Sequence, residues 1–230
     1  PYVEVKKVQY SINGYSTASC GNLYAFVLER NKKILNEKSY CSMIVPLSGH
    51  STARMEPLVK NFYLEFSNCY IINLSADAHP SVLFPGVKFR LAVFIVNNIY
   101  KGLYTSRYRR WYALERDTLF SLVAFTGIGK FHHQSIIPKI INKKHLDVME
   151  KVSAITNKLA YCYGGKYVTY YHNAPIFWIR AHSFVPFFKS ERDGIKISTQ
   201  LKSLFFETKS KSKAASGVLC STLFYIWWLT

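Results

Sequence analysis

Arg107, Arg109 and Arg110 stand close together, with Tyr108 between them and Trp111 directly after, in the stretch TSRYRRW. This is the densest mixture of cations and aromatic rings in the chain. Guanidinium groups hold phosphates and ring faces stack on bases, so the mixture suits contacts with DNA backbone and bases. A solvated edge strand or helix is the bland alternative. Gly127 and Gly129 (AFTGIGK) follow an apolar run, as in loops that cradle a phosphate. No third glycine follows at the required spacing and no Lys-Ser/Thr pair closes the run, so a plain loop is the preferred reading. His132, His133, His145 and Cys162 match no zinc-finger spacing, and no metal is expected. Cys69 and Cys162 have nothing beside them that would activate a thiol. The carboxylates are few and scattered, which leaves no basis for a paired-carboxylate hydrolase.

The charge agrees with a polyanionic partner. The 230 residues carry 30 Lys and Arg against 13 Asp and Glu, a formal net charge of +17. Uncompensated charge on that scale repels itself, and a polyanion, either nucleic acid or an acidic membrane surface, is the ordinary relief. The 17 Tyr and 16 Phe fit nucleic acid, since many sit beside Lys or Arg. No apolar run reaches the roughly 18 residues of a membrane-spanning helix, and no basic amphipathic helix stands out, so no membrane partner is expected. The opening PYVEVKKVQY lacks the apolar core of a signal peptide. Five cysteines at irregular spacing suit reduced thiols in a cytoplasmic protein.

The elements that would position these residues follow from periodicity. Ala18–Asn36 reads as a helix, with Leu23, Phe26, Val27, Arg30 and Ile34 at three- and four-residue steps. Ser51–Phe62 is a second, with Met55, Leu58, Val59 and Phe62 on one stripe. Tyr40–Pro46, Asn68–Leu74 and Arg90–Val96 read as buried strands, with a polar loop over Ser75–Gly86. The alternation predicts βαβ units and a largely parallel sheet. Asn142–Leu159 reads as a helix, Lys166–Ile179 as strands, and Lys189–Lys213 as surface loops. Trp227 and Trp228 are expected in a core. Three regions result: 1–104, a basic–aromatic connector over 105–135, and 136–230.

Several blocks in this order resemble the latter part of adenine-specific DNA methyltransferases. The closest type is the restriction–modification enzyme that joins methylase and specificity functions on one chain. The blocks are Pro1-Tyr2, GNLYAFVLER (Gly21–Arg30), SMIVPLS (Ser42–Ser48), STARMEPL (Ser51–Leu58), HPSVLFPGVKFRLAVFIV (His79–Val96), YTSRYRRW (Tyr104–Trp111), YYHNAPIFWIR (Tyr170–Arg180) and CSTLFYIWW (Cys220–Trp228). Together they span nearly the whole chain. Pro1-Tyr2 looks like the end of an Asn-Pro-Pro-Tyr motif.

The resemblance implies an α/β fold. It would be the C-terminal half of a Rossmann-like sheet that binds S-adenosylmethionine (1–104), followed by the start of a mixed α+β DNA target-recognition region (136–230). It implies prokaryotic, cytoplasmic methyl transfer from S-adenosylmethionine to the amino group of an adenine flipped out of double-stranded DNA. Pro1 and Tyr2 would belong to the active loop, Tyr2 would stack on the flipped base, and Phe84 would pack on its other face. Tyr24 and Phe26 would lie near the cofactor side, or simply pack in a helix core. Arg107, Arg109, Arg110 and Trp111 would hold DNA. The family's glycine-rich cofactor loop and its catalytic Asn have no copy in this sequence. The chain therefore reads as a truncated piece, inactive alone and poorly soluble through an exposed sheet edge. The alternative reading is a non-enzymatic DNA-binding specificity module acting through a partner subunit.

Overall fold

Extended backbone at Asn22 leads into helix α1 (Leu23–Ile34), with Gly21 before it in the left-handed region at φ +67°. The helix is therefore shorter than its apolar pattern predicts. It buries Tyr24, Ala25, Phe26 and Leu28, while Val27 and Ile34 of the expected stripe lie exposed. Glu29 is buried on the same helix because the preceding loop supplies donors. Its carboxylate accepts bonds from the amides and hydroxyls of Ser16 and Thr17 at 2.9–3.1 Å. These bonds outweigh the cost of burial and hold the carboxyl below the usual range.

The computed structural model describes residues 3–7, 11–75, 84, 87, 89–132, 136–156, 164–174 and 178–230. It is a mixed α/β structure in two units, Pro1–Glu150 and Lys151–Thr230. The first unit holds a five-stranded sheet of β1 (Cys41–Pro46), β2 (Asn68–Leu74), β3 (Leu91–Asn97), β4 (Gly102–Arg109) and β5 (Phe125–Gly127), in the order β1-β3-β2-β4-β5. The largely parallel sheet expected from the sequence is corrected here. Only β2 and β4 pair in parallel, because β3 returns between β1 and β2 and runs antiparallel to both. Apolar periodicity marks a strand as buried but carries no information about its direction. The segment 105–135 supplies part of β4 and all of β5 to this sheet.

Met55, Leu58, Val59 and Phe62 are all buried, as their stripe predicts. The backbone that carries them is a one-turn helix α2 (Glu56–Leu58) running into a π-helical turn over Val59–Tyr63. Phe62 and Tyr63 both meet Phe94 of β3 edge to face, with ring centroids 5.3–5.4 Å apart. On β2 and β4, the registered pair Tyr70 and Tyr104 stacks at 4.5 Å.

The second unit takes in the end of α3 (Lys143–Ser153), then β6 (Tyr167–His172), β7 (Ala181–His182), β8 (Lys189–Ser190), β9 (Gly194–Ile195), β10 (Leu201–Phe206), α4 (Lys209–Leu219) and α5 (Thr222–Leu229). A three-stranded antiparallel sheet runs β10-β6-β7, and β8 and β9 form a small hairpin. Lys189–Lys213 is thus mostly strand and helix rather than loop. Leu201–Phe206 pairs residue by residue with Tyr167–His172 of β6, and the Thr208 hydroxyl caps α4 by accepting from the Lys211 amide. Trp227 and Trp228 are not in a core: each is nearly half exposed, and α5 buries none of its residues. The helix is apolar around its whole circumference, the composition of a helix covered on every side, yet none of its residues is buried. Among the described residues no helix is long and apolar enough to cross a membrane.

Candidate nucleic-acid interface

The strand directions bring three loops to one edge. β1 and β2 are each antiparallel to β3, and β4 is parallel to β2, so β1, β2 and β4 all end on the same side. Backbone bonds tie these ends together. The Leu47 amide donates to the Arg90 carbonyl and the Ser75 amide to the Arg109 carbonyl, both at 2.8 Å. The carboxyl edge of such strands is where ligands sit in open α/β sheets.

A buried polar network braces that edge. Asn73 on β2 is fully buried, and its amide nitrogen donates to the Thr105 hydroxyl at 3.0 Å and the Ser106 carbonyl at 2.8 Å. Its backbone amide donates to the Ser106 hydroxyl at 2.9 Å. A β-bulge makes this possible: Ile71 faces Thr105 and Asn73 faces Tyr108, so one residue of β2 spans two of β4. The Asn73 side-chain oxygen lies 2.8 Å from Nε2 of His50, which follows β1. Because the Asn73 nitrogen is already donating, its oxygen must accept, and His50 carries its proton on Nε2. His50 Nδ1 then has no hydrogen-bond partner among the described residues. Burial, reinforced by the nearby Lys139 charge, pushes His50 down to about 3, against the Asn73 bond.

Cations and rings rim this network. Arg90, exposed at the entry to β3, lies over the Tyr108 ring at 5.9 Å. Burial, then Arg90, push the Lys139 ammonium down to about 8. Phe84 and Phe89, on the connection from β2 to β3, are both exposed.

The residues singled out from the sequence are scattered. Pro1 and Tyr2 lie outside the described residues, as do His133 and Cys162. Phe84 is 44 % exposed, and its carbonyl accepts from the Val87 amide at 3.1 Å. Arg107 is exposed and Arg110 half-buried. Arg109 is buried, with its guanidinium donating to the Leu122 carbonyl at 3.1 Å and lying 3.5 Å from Glu115. Trp111 is fully buried beside Leu74 and Leu119. Gly127 ends β5, and Gly129 takes a positive φ of +52° in the turn after it. His145 works at the start of α3, where its Nδ1 accepts from the Ile141 amide at 3.1 Å. Among the described residues no three His, Cys, Asp or Glu are grouped to hold a metal. His50, Asn73 and Lys139 were not anticipated. One signal was present: asparagine is depleted from strand interiors, so Asn73 inside CYIINL marks a site with dedicated partners.

The two residues that the resemblance sets near a cofactor do not fit one. Tyr24 is buried, with its hydroxyl 3.6 Å from the Met55 sulfur. Phe26 is buried and meets Tyr15 edge to face at 5.2 Å. Neither offers a free face to S-adenosylmethionine. The chain matches no protein-family model and no curated protein.

Proposed function

We propose that this chain is the DNA-facing part of an adenine-specific DNA methyltransferase of a restriction–modification system. The observation that carries the reading is the exposed ring of Phe84, on the connection from β2 to β3 whose last residue is the exposed Arg90. In this reading β1, β2 and β4 belong to the second half of a Rossmann-like sheet, with β3 inserted antiparallel. Residues from about 136 onward begin the target-recognition region.

An adenine leaving the duplex loses its stacking neighbours, at a cost of a few kcal/mol. The Phe84 ring offsets part of that by offering a new face, worth about 1–3 kcal/mol. Tyr2 is assigned the opposite face by resemblance alone. Arg90 holds the displaced backbone as a phosphate ligand, with the half-buried Lys139 charge behind it. The His50–Asn73–Ser106 network keeps the strand ends in register behind them. S-adenosylmethionine is the methyl donor of the reading, and none of the described residues is assigned to it.

The test is to express the gene's whole coding region in a bacterial host that lacks N6-methyladenine, then map methylated adenine by single-molecule sequencing. One recurring methylated motif is the expected result. Phe84→Ala should lower the methylation rate about tenfold, in line with the loss of one stacking face. Genomic DNA without methylated adenine would overturn the reading. If the purified protein still bound duplex DNA in that case, the non-enzymatic module would take its place.

A further inference from the structure

The second unit is the more basic part of the chain for its size. Between Lys151 and Thr230 stand eleven Lys and Arg against three Asp and Glu. Its three-stranded sheet ends at His172, whose amide donates to the Arg180 carbonyl at 3.1 Å. On the other side of β6, the Asn173 amide donates to the Gln200 carbonyl at 3.1 Å. These bonds fix the end of β6 against the segments entering β7 and β10. A cleft of about 320 Å³ opens there, lined chiefly by His172, Arg180, His182, Phe187, Phe188 and Ser198. That volume lies at the lower end of small-ligand sites, roughly 300–1,000 Å³.

The lining contains three potential cations and no acidic residue. The only acidic groups near it in sequence are Glu191 and Asp193 on the β8–β9 turn, and Asp193 is paired with Lys196 and Arg192. Partial burial, then Arg180 and His182, hold the His172 ring below its ordinary titration range. Arg180 is exposed and permanently charged. Phe187 is 77 % exposed, more than any other described phenylalanine. A single exposed ring needs no explanation, but one lining a concave, acid-free, Arg-bearing cleft does. The pair asks for a ligand with one flat apolar face and one anionic group. Duplex backbone alone would satisfy Arg180 and leave the ring unused, because stacked bases hide their faces.

We infer that this cleft binds an unstacked DNA nucleotide, with the base on the Phe187 ring and the phosphate on Arg180. The inference rests on the DNA-directed part of the function proposed above, and adds a second place where a base leaves the stack. The nucleotide can come from a single strand or from an extrahelical position in a duplex.

Fluorescence anisotropy on the full chain distinguishes these sources. The probes are three fluorescein-labelled DNAs: a single strand, a perfect duplex, and the same duplex with one unpaired extra nucleotide. The single strand, the bulged duplex or both should bind about tenfold tighter than the perfect duplex, and Phe187→Ala should erase that preference. Arg180→Ala should weaken binding to all three and reduce the slope of log affinity against log salt by about one. Arg192→Ala, on the β8–β9 turn outside the lining, should leave the preference intact. All three side chains are exposed, so the variants should keep the native fold. Equal affinity for the three DNAs, or a preference that survives Phe187→Ala, would overturn the inference. A preference without adenine methylation in cells removes the methyltransferase reading alone. Methylation without a preference removes the cleft alone.

Discussion

Two stretches of this chain mix arginine with large rings, and they end in opposite environments. Along β4 and just after it, Arg109 and Trp111 turn inward, and Trp111 packs fully buried against Leu74 and Leu119. Around the β7–β8 segment, Trp178, Arg180, Phe184 and Phe187 all stay in solvent. The difference is the sheet around them. β4 is an eight-residue strand between β2 and β5, and its bulge turns Ser106 inward while leaving Arg107 outside. β7, β8 and β9 have two residues each, too few to cover a neighbour's rings. A run of cations and aromatics therefore stays in solvent only where the strand carrying it is too short or too marginal to be packed over.

The comparison breaks most sharply on Trp111. Trp111→Ala should cost about 3–5 kcal/mol in urea denaturation, the range for deleting a large ring from a core. Phe187→Ala should stay within about 0.5 kcal/mol of the native chain. If Trp111→Ala were equally mild, the inward assignment of the β4 stretch would fail, and its reading as a DNA surface would return.

The network behind β4 sharpens the comparison through pH. His50 titrates near 3 in the folded chain, against an ordinary value of 6.5. Between those values the unfolded chain binds a proton that the folded chain refuses, so stability falls as pH drops below about 6.5. The loss approaches 1.4 kcal/mol per pH unit well below 6.5. Glu29 acts in a lower window, because its depressed pKa matters only below the ordinary 4.5. Urea midpoints measured from pH 7 to 5 therefore isolate the histidine contribution. His50→Gln should flatten the native slope by about 1–2 kcal/mol over that range. An unchanged slope would mean that burial and the Lys139 charge do not hold His50 neutral. The cleft histidine His172, only partly buried, should contribute less of the same sign.

How much was legible follows the same division. The strands Cys41–Pro46, Asn68–Leu74 and Leu91–Asn97 emerge within a residue of their apolar runs, because burial on two faces leaves a continuous signature. The stripe Met55–Leu58–Val59–Phe62 was readable because helical turns of any type keep such residues on one side. Strand direction was not readable. It depends on whether a connection crosses over or returns, and the insertion of β3 between β1 and β2 leaves no mark in either strand's composition. Nor was the burial of Arg109 readable, since it requires the Leu122 carbonyl and Glu115 to arrive from a later turn. Phe84 was singled out by resemblance, and its exposure is a property of the loop rather than of any local pattern.

The smallest expected effect belongs to Arg107, the exposed residue of the β4 cluster. Its removal should leave stability within about 0.5 kcal/mol, as for other surface positions. Should it touch a phosphate, Arg107→Ala would reduce duplex affinity uniformly across sequences and lower the salt slope by about one. Arg180→Ala should do the same for the second unit, so the double variant should lose both increments if the two contacts are independent. Anisotropy titrations of the three variants at several salt concentrations read this directly. A double variant no weaker than Arg180→Ala alone would assign the DNA contact to the short-stranded unit and leave β4 a structural strand with one solvated cation.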